Sequence, residues 1–240
     1  LEELMRAGDL NHCVDFPCTD VRHSGYLPGF LPDRPEDVRV IMITTAPPAD
    51  QSEPLRDYTD PVVRDETLDA FRAAGYDVAT VGDIRDLGVH VTTAVKCPKL
   101  GFGLKPETIA SCSHLLEQEL AMFPNVRSIL LMGNTAIRAI NQIAVRTHGE
   151  AVIPTGSAYK VKKHEYRLGE ISLFPSYPTS GQNLSVELDR QEAVAVDIRN
   201  AIAVAGGPPT RSHRTGPSRE LRRSPGSRPH EVRERSVELT

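Results

Sequence analysis

The residues best suited to chemistry in this chain are its four cysteines. They fall into two pairs, Cys13/Cys18 and Cys97/Cys112, and the second pair opens within Val95-Lys96-Cys97-Pro98. Thiolates grouped this way, brought together from two distant segments, suit a tetrahedral metal ion or an iron–sulfur cluster. Such a centre would tie the N-terminal segment to the middle of the chain. Two disulfides, or four unrelated buried thiols, would use the same residues. No secretory signal is visible and cytosolic thiols stay reduced, which favours the metal and places the chain in the cytoplasm. The eight histidines form no HxH or HxxxH pair, so a histidine metal centre is not expected. No GxGxxG, P-loop or GxSxG motif occurs, which argues against nucleotide cofactors and serine-hydrolase chemistry.

The elements that must position these residues alternate between strand and helix. Val38 to Ile43 is a short apolar run before a Pro-Pro turn, as a buried strand requires. Val63 to Ala74 has helical spacing and Gly75 as its stop. Val89 to Val95 reads as a second strand. Pro106 opens a helix to about Phe123. Ser128 to Met132 is a third strand, Thr135 to Ala144 a helix, Ile171 to Phe174 a fourth strand, and Leu188 to Val204 the last helix. This alternation predicts a three-layer α/β/α fold around a mostly parallel four-stranded sheet.

Ligands of open α/β sheets bind beyond the carboxyl ends of the strands. Three loops there carry turn formers and polar groups: Thr44 to Asp50, Lys96 to Pro98, and Pro175 to Asn183. Together they would form one mouth.

Charge divides the chain. Residues 207–240 hold eight Arg and four Glu, a net +4, which leaves −8 for residues 1–206. An acidic body is not one held to DNA mainly by charge, although a locally basic groove remains open to it. After Gly206-Gly207-Pro208-Pro209 the sequence is rich in Arg, Ser, Pro and Gly. Such a segment buries too little apolar surface to offset its chain entropy. The expected organisation is one domain over 1–206 and a disordered tail over 207–240. No apolar run is long enough to span a membrane.

The loops and cysteines resemble the motifs of the iron–sulfur uracil-DNA glycosylases, over about residues 10 to 204. Thr44-Thr45-Ala46-Pro47-Pro48 stands where that family has Gly-Glu-Ala-Pro-Gly. Thr93-Ala94-Val95-Lys96-Cys97-Pro98 matches its Asn-x-Val-Lys-Cys-(Arg)-Pro. Cys112 matches the next family cysteine, inside a helix. Ser176-Tyr177-Pro178-Thr179-Ser180 occupies the place of Thr-Tyr-His-Pro-Ser. The resemblance implies a four-iron, four-sulfur cluster on Cys13, Cys18, Cys97 and Cys112, with zinc as the alternative occupant. It implies DNA as partner, through a single strand or a flipped base, and a pocket drawn from Thr45, Ala46, Pro47, Tyr58, Thr93, Ser176 and Tyr177. The chain is expected to act as a monomer.

Three family pocket residues are replaced. Thr45 stands for the acid, Thr93 for the Asn and Pro178 for the His, while the first cysteine pair is spaced by four residues instead of two. Glycosylase chemistry still needs donors for the departing base and negative charge for the sugar cation and its water. The remaining candidates are Asp50, with Glu53 behind it, as the carboxylate. Asn183 and Gln182 are the candidate donors, and Tyr58 or Tyr177 the candidate base platform. The implied activity is hydrolysis of the N-glycosidic bond of uracil or another deaminated base. A nucleic-acid-binding protein that has lost catalysis is the alternative.

Overall fold

The apolar run in the first strand explains the architecture. β1 (Val40–Thr44) is buried along almost its whole length. Successive side chains of a strand point to opposite faces, so one strand must seed two cores. Val40 and Met42 pack with Leu68, Phe71, Ile84, Val194 and Ile198. Ile41 and Ile43 pack with Ile109, Leu116, Ile137 and Ile140. The fold is therefore three-layered, as expected. The computed structural model describes residues 12–27, 32–47, 61–154, 156, 158–162, 164–179 and 188–207. These fall within the unit Leu1–Pro209. The expected disordered tail lies, beyond Gly207, outside the described residues.

The sheet has the order β2-β1-β3-β5-β4. β1, β2 (Val89–Thr93), β3 (Ser128–Met132) and β5 (Ile171–Ser176) run parallel. β4 (Tyr166–Leu168) pairs antiparallel with β5. The expected count of four strands is thus corrected to five. β4 is three residues long, too short to show an alternating pattern. Its hairpin turns on Gly169 at φ +57° and Glu170, not on the Asn-Gly pair that would have announced it.

One helical layer contains α1 (Pro61–Ala73), α2 (Val81–Asp86) and α6 (Leu188–Val204). The other contains α3 (Pro106–Leu120) and α4 (Asn134–His148). A single turn, α5 (Ala158–Val161), precedes β4. α1 ends as its glycine foretold. The Gly75 N–H donates to Arg72 O at 2.8 Å and the Tyr76 N–H to Phe71 O at 3.1 Å, with Gly75 at φ +91°. α2, missing from the sequence reading, is fixed by a reciprocal cap between Thr80 and Asp83. α4 runs four residues past its expected end, α3 stops three residues short, and β2 stops at Thr93 instead of Val95.

No described helix is long and apolar enough to cross a membrane.

Candidate functional site

The carboxyl ends of the parallel strands are tied side by side. The Ala94 N–H donates to Thr44 O at 2.8 Å and the Val95 N–H to Thr45 O at 3.1 Å. The Gly133 N–H donates to Ser176 O at 2.9 Å. These bonds join the end of β1 to that of β2 and the end of β3 to that of β5, on the carboxyl edge of the sheet. Thr45 and Ala46 are half-buried there and Pro47 is buried. Asp50, Glu53, Tyr58, Gln182 and Asn183 lie outside the described residues.

Thr93 closes β2 with 2 % of its surface exposed, and its Oγ1 has no hydrogen-bond partner among the described residues. An orphaned buried hydroxyl costs about 1–3 kcal/mol, so it asks for a reason. A ligand group is one.

Ser176 is fully buried, and its hydroxyl donates to Asp197 Oδ2 at 2.5 Å. Lys162 Nζ donates to the same oxygen at 2.5 Å. Burial pushes the Asp197 carboxyl up, and the hydrogen bonds from Lys162 and Ser176 only partly offset this. Tyr177 is half-buried, with Lys162 Nζ 4.8 Å and Arg190 Cζ 5.4 Å from its ring centre. Its ring thus already carries two cations. Thr179 Oγ1 lies 3.2 Å from Thr67 Oγ1 and ties this loop to α1. Sequence reasoning missed Asp197 and Lys162. Asp197 lies in a helix whose polar positions look alike, and only the fold sets it against Ser176.

Pro178, in the place of the family histidine, packs on the third strand end. A Cβ at Gly133 would stand 3.0 Å from Pro178 Cγ, and Gly133 has φ +94°. Gly133→Ala is expected to lower stability by roughly 2 kcal/mol, through strain at positive φ together with this clash. Urea denaturation would measure it; an unchanged midpoint would show that the loop yields freely.

Behind the edge lies a buried ionic network. Lys96 and Glu119 are 1 % and 0 % exposed, and Nζ donates to Glu119 Oε2 at 2.5 Å. Nζ also donates to Thr92 Oγ1 and Thr93 O, each at 2.9 Å. Thr92 Oγ1 donates to Glu119 Oε1 at 2.8 Å, and His90 Nε2 lies 3.2 Å from the same oxygen. Burial would raise the Glu119 carboxyl, but the Lys96 charge and the His90 contact outweigh it and hold the group at about 2. Lys96 is therefore engaged structurally, holding the β2 end from below.

The cysteines gather beside this network. All four are free thiols; Cys97 and Cys112 are buried, and Cys13 and Cys18 half-buried. Burial pushes Cys97 up to about 12 and Cys112 to about 11; the sulfurs of Cys112, Cys13 and Cys18 raise Cys97 further, and those of Cys18 and Cys13 raise Cys112. Cys18 is raised by burial and by Cys13, while a hydrogen bond with Cys112 acts the other way. Cys18 and Cys112 thus come within hydrogen-bonding reach across the two pairs. Among the described residues no group of three or more His, Cys, Asp or Glu is arranged to hold a metal ion.

The N-terminal segment reaches this place through a few backbone bonds. The Arg22 N–H donates to Pro98 O at 2.8 Å and the Leu27 N–H to Lys96 O at 2.7 Å. Asp20 accepts from the Lys105 N–H at 2.6 Å and from the Thr108 hydroxyl, which caps α3 from outside its own segment.

The chain has a counterpart among known families. The model of the uracil DNA glycosylase superfamily matches residues 31–201. The chain belongs to that superfamily. Members act on DNA, and a glycosylase-like role follows for this domain. No curated protein matches the chain. The matched stretch contains all five strands, Thr93, Ser176 and the second cysteine pair. Cys13 and Cys18 lie before it.

Proposed function

We propose that this superfamily member hydrolyses the N-glycosidic bond of uracil or another deaminated base in DNA, as a step of base-excision repair. The observation that carries the reading is Thr93: a buried, unpartnered hydroxyl at the strand end where the superfamily's edge opens. A flipped base placed beyond that edge would give the hydroxyl its partner. A deaminated base offers carbonyl oxygens, and Thr93 Oγ1 would donate to one as negative charge builds on the departing ring. Gln182 and Asn183 are the further donors, by their place in the loop after β5. Asp50 is the carboxylate that would face the sugar cation and orient the water. Thr45, Ala46 and Pro47 would form the wall beside the base. Tyr58 is the stacking platform of this reading, because the Tyr177 ring is engaged by Lys162 and Arg190.

We also propose that Cys13, Cys18, Cys97 and Cys112 bind a four-iron, four-sulfur cluster. Burial and the neighbouring sulfurs raise Cys97, Cys112 and Cys18, and thiols so placed ionise together only with a compensating cation. Four thiolates from two segments suit the separate irons of a cluster, and zinc is the alternative occupant. Bound there, the group would supply structural cross-linking.

A second reading is a nucleic-acid-binding protein without catalysis. Pro178 favours it, since a ring packed on Gly133 offers no donor where the family has an imidazole. One assay separates the two. Protein purified without oxygen is incubated with oligonucleotides containing uracil, hypoxanthine or xanthine, and abasic sites are scored by alkaline cleavage. Cleavage at one lesion, lost in Asp50→Asn, supports the hydrolase and its carboxylate. DNA binding without cleavage at any lesion supports the second reading.

A further inference from the structure

Phe102 has 106 % of its reference surface exposed, and Leu100 near it 66 %. Leaving a phenylalanine ring in water forgoes about 2–3 kcal/mol of burial. The loop bearing it, Lys99-Leu100-Gly101-Phe102-Gly103-Leu104-Lys105, contains two lysines and no acid, in a body whose charge is −8. Both lysines are exposed. A Cβ at Gly101 or Gly103 would meet nothing within 4 Å, so the tip stands clear of the protein.

The stems of the loop are held. Lys99 bridges to Val21, the Leu100 N–H donates to Asp20 O at 3.0 Å, and the Lys105 N–H donates to the Asp20 carboxylate at 2.6 Å. Lys99 Nζ reaches Phe102 O at 3.4 Å across the tip. The loop connects β2 to α3, so it leaves from the same carboxyl edge as Thr93. An aromatic ring raised on fixed stems between two lysines has the makings of a base-stacking element: the ring takes a base face and the cations take phosphates.

We propose that Phe102 is a DNA wedge, stacking on a base beside the extracted nucleotide while Lys99 and Lys105 hold the flanking phosphates. This rests on the DNA-glycosylase reading above. It assigns a contact to a loop that the pocket does not use.

The test uses the full chain and a duplex with a tetrahydrofuran abasic analogue next to 2-aminopurine. Wild-type protein is expected to change the 2-aminopurine fluorescence on binding. Phe102→Ala is expected to lose most of that change and to bind about tenfold more weakly, with an unaltered unfolding midpoint because the ring faces solvent. Lys99→Gln and Lys105→Gln are each expected to lower the slope of log affinity against log salt by about 1. If wild type releases base and Phe102→Ala matches it in affinity and fluorescence, the wedge is wrong and the glycosylase reading stands. If wild type neither releases base nor binds this duplex, both fall. Phe102-dependent sedimentation with phosphatidylserine vesicles, without any effect on DNA, would overturn the wedge and give the loop to a lipid surface.

Discussion

Glu119→Gln is expected to destabilise the domain by about 3–5 kcal/mol, the usual result of stripping one partner from a buried ion pair. Lys96 and Glu119 are both essentially inaccessible. The three donors of the Lys96 ammonium go to Glu119, Thr92 Oγ1 and Thr93 O. An amide in place of the carboxylate would keep the shape and leave that ammonium without its counter-charge. The double change Lys96→Met, Glu119→Leu is expected to recover most of the loss, because it removes both desolvated charges. Urea midpoints of the three proteins decide the matter; a loss below about 1 kcal/mol in the single variant would show that water or rearrangement compensates the charge.

The same pair gives a pH dependence of known sign. Glu119 is held at about 2 in the fold, below its ordinary value of 4.5. A depressed carboxyl contributes stability that is complete above 4.5 and is lost as the pH falls towards 2. The contribution is on the order of 3 kcal/mol. Acid titration of wild type and the double variant should therefore diverge in that window.

Loss of the proposed cluster is expected to have the second large effect. In Cys97→Ser, or after chelation, residues 12–27 should become at least tenfold more sensitive to protease while the sheet stays folded. Without a metal Cys97, at about 12, and Cys112, at about 11, stay neutral. The segment then depends on Asp20, on the buried side chain of Val21, on Phe16 and Tyr26 packed against the core, and on a few backbone bonds. With a metal, thiolate binding adds folding free energy directly and releases protons. Iron, sulfide and zinc analysis of the purified protein identifies the occupant. Protein that carries none of them, and whose Cys97→Ser variant resists protease and urea like wild type, would remove the proposed cluster.

Much of the layer structure was legible because burial on two faces leaves long apolar runs, as in Ser128 to Met132, and because Gly75 and Pro106 punctuate helices by their backbone chemistry alone. The last helix runs over Leu188–Val204, as read. What stayed hidden depends on partners far along the chain. Glu119 belongs to a leucine-rich helix and gives no sign that it turns inward to Lys96. β2 ends early because Lys96 folds back to the Thr93 carbonyl, where periodicity alone would carry the strand on to Val95. The cysteine spacing raised the expectation of a shared site, and Cys18 and Cys112 come within hydrogen-bonding reach of each other. Phe102 stayed hidden, because an exposed phenylalanine looks in sequence like any other core residue.

β4 sets a boundary on what can join this protein. Sheets grow by offering unpaired backbone groups along an edge, and β4 is three residues long with Arg167 exposed at its centre. So short an edge, marked by a charge, gives an incoming strand almost nothing to zip onto. Growth of the sheet from that side, whether into a fibre or into a strand-swapped pair, is thereby discouraged by the architecture itself.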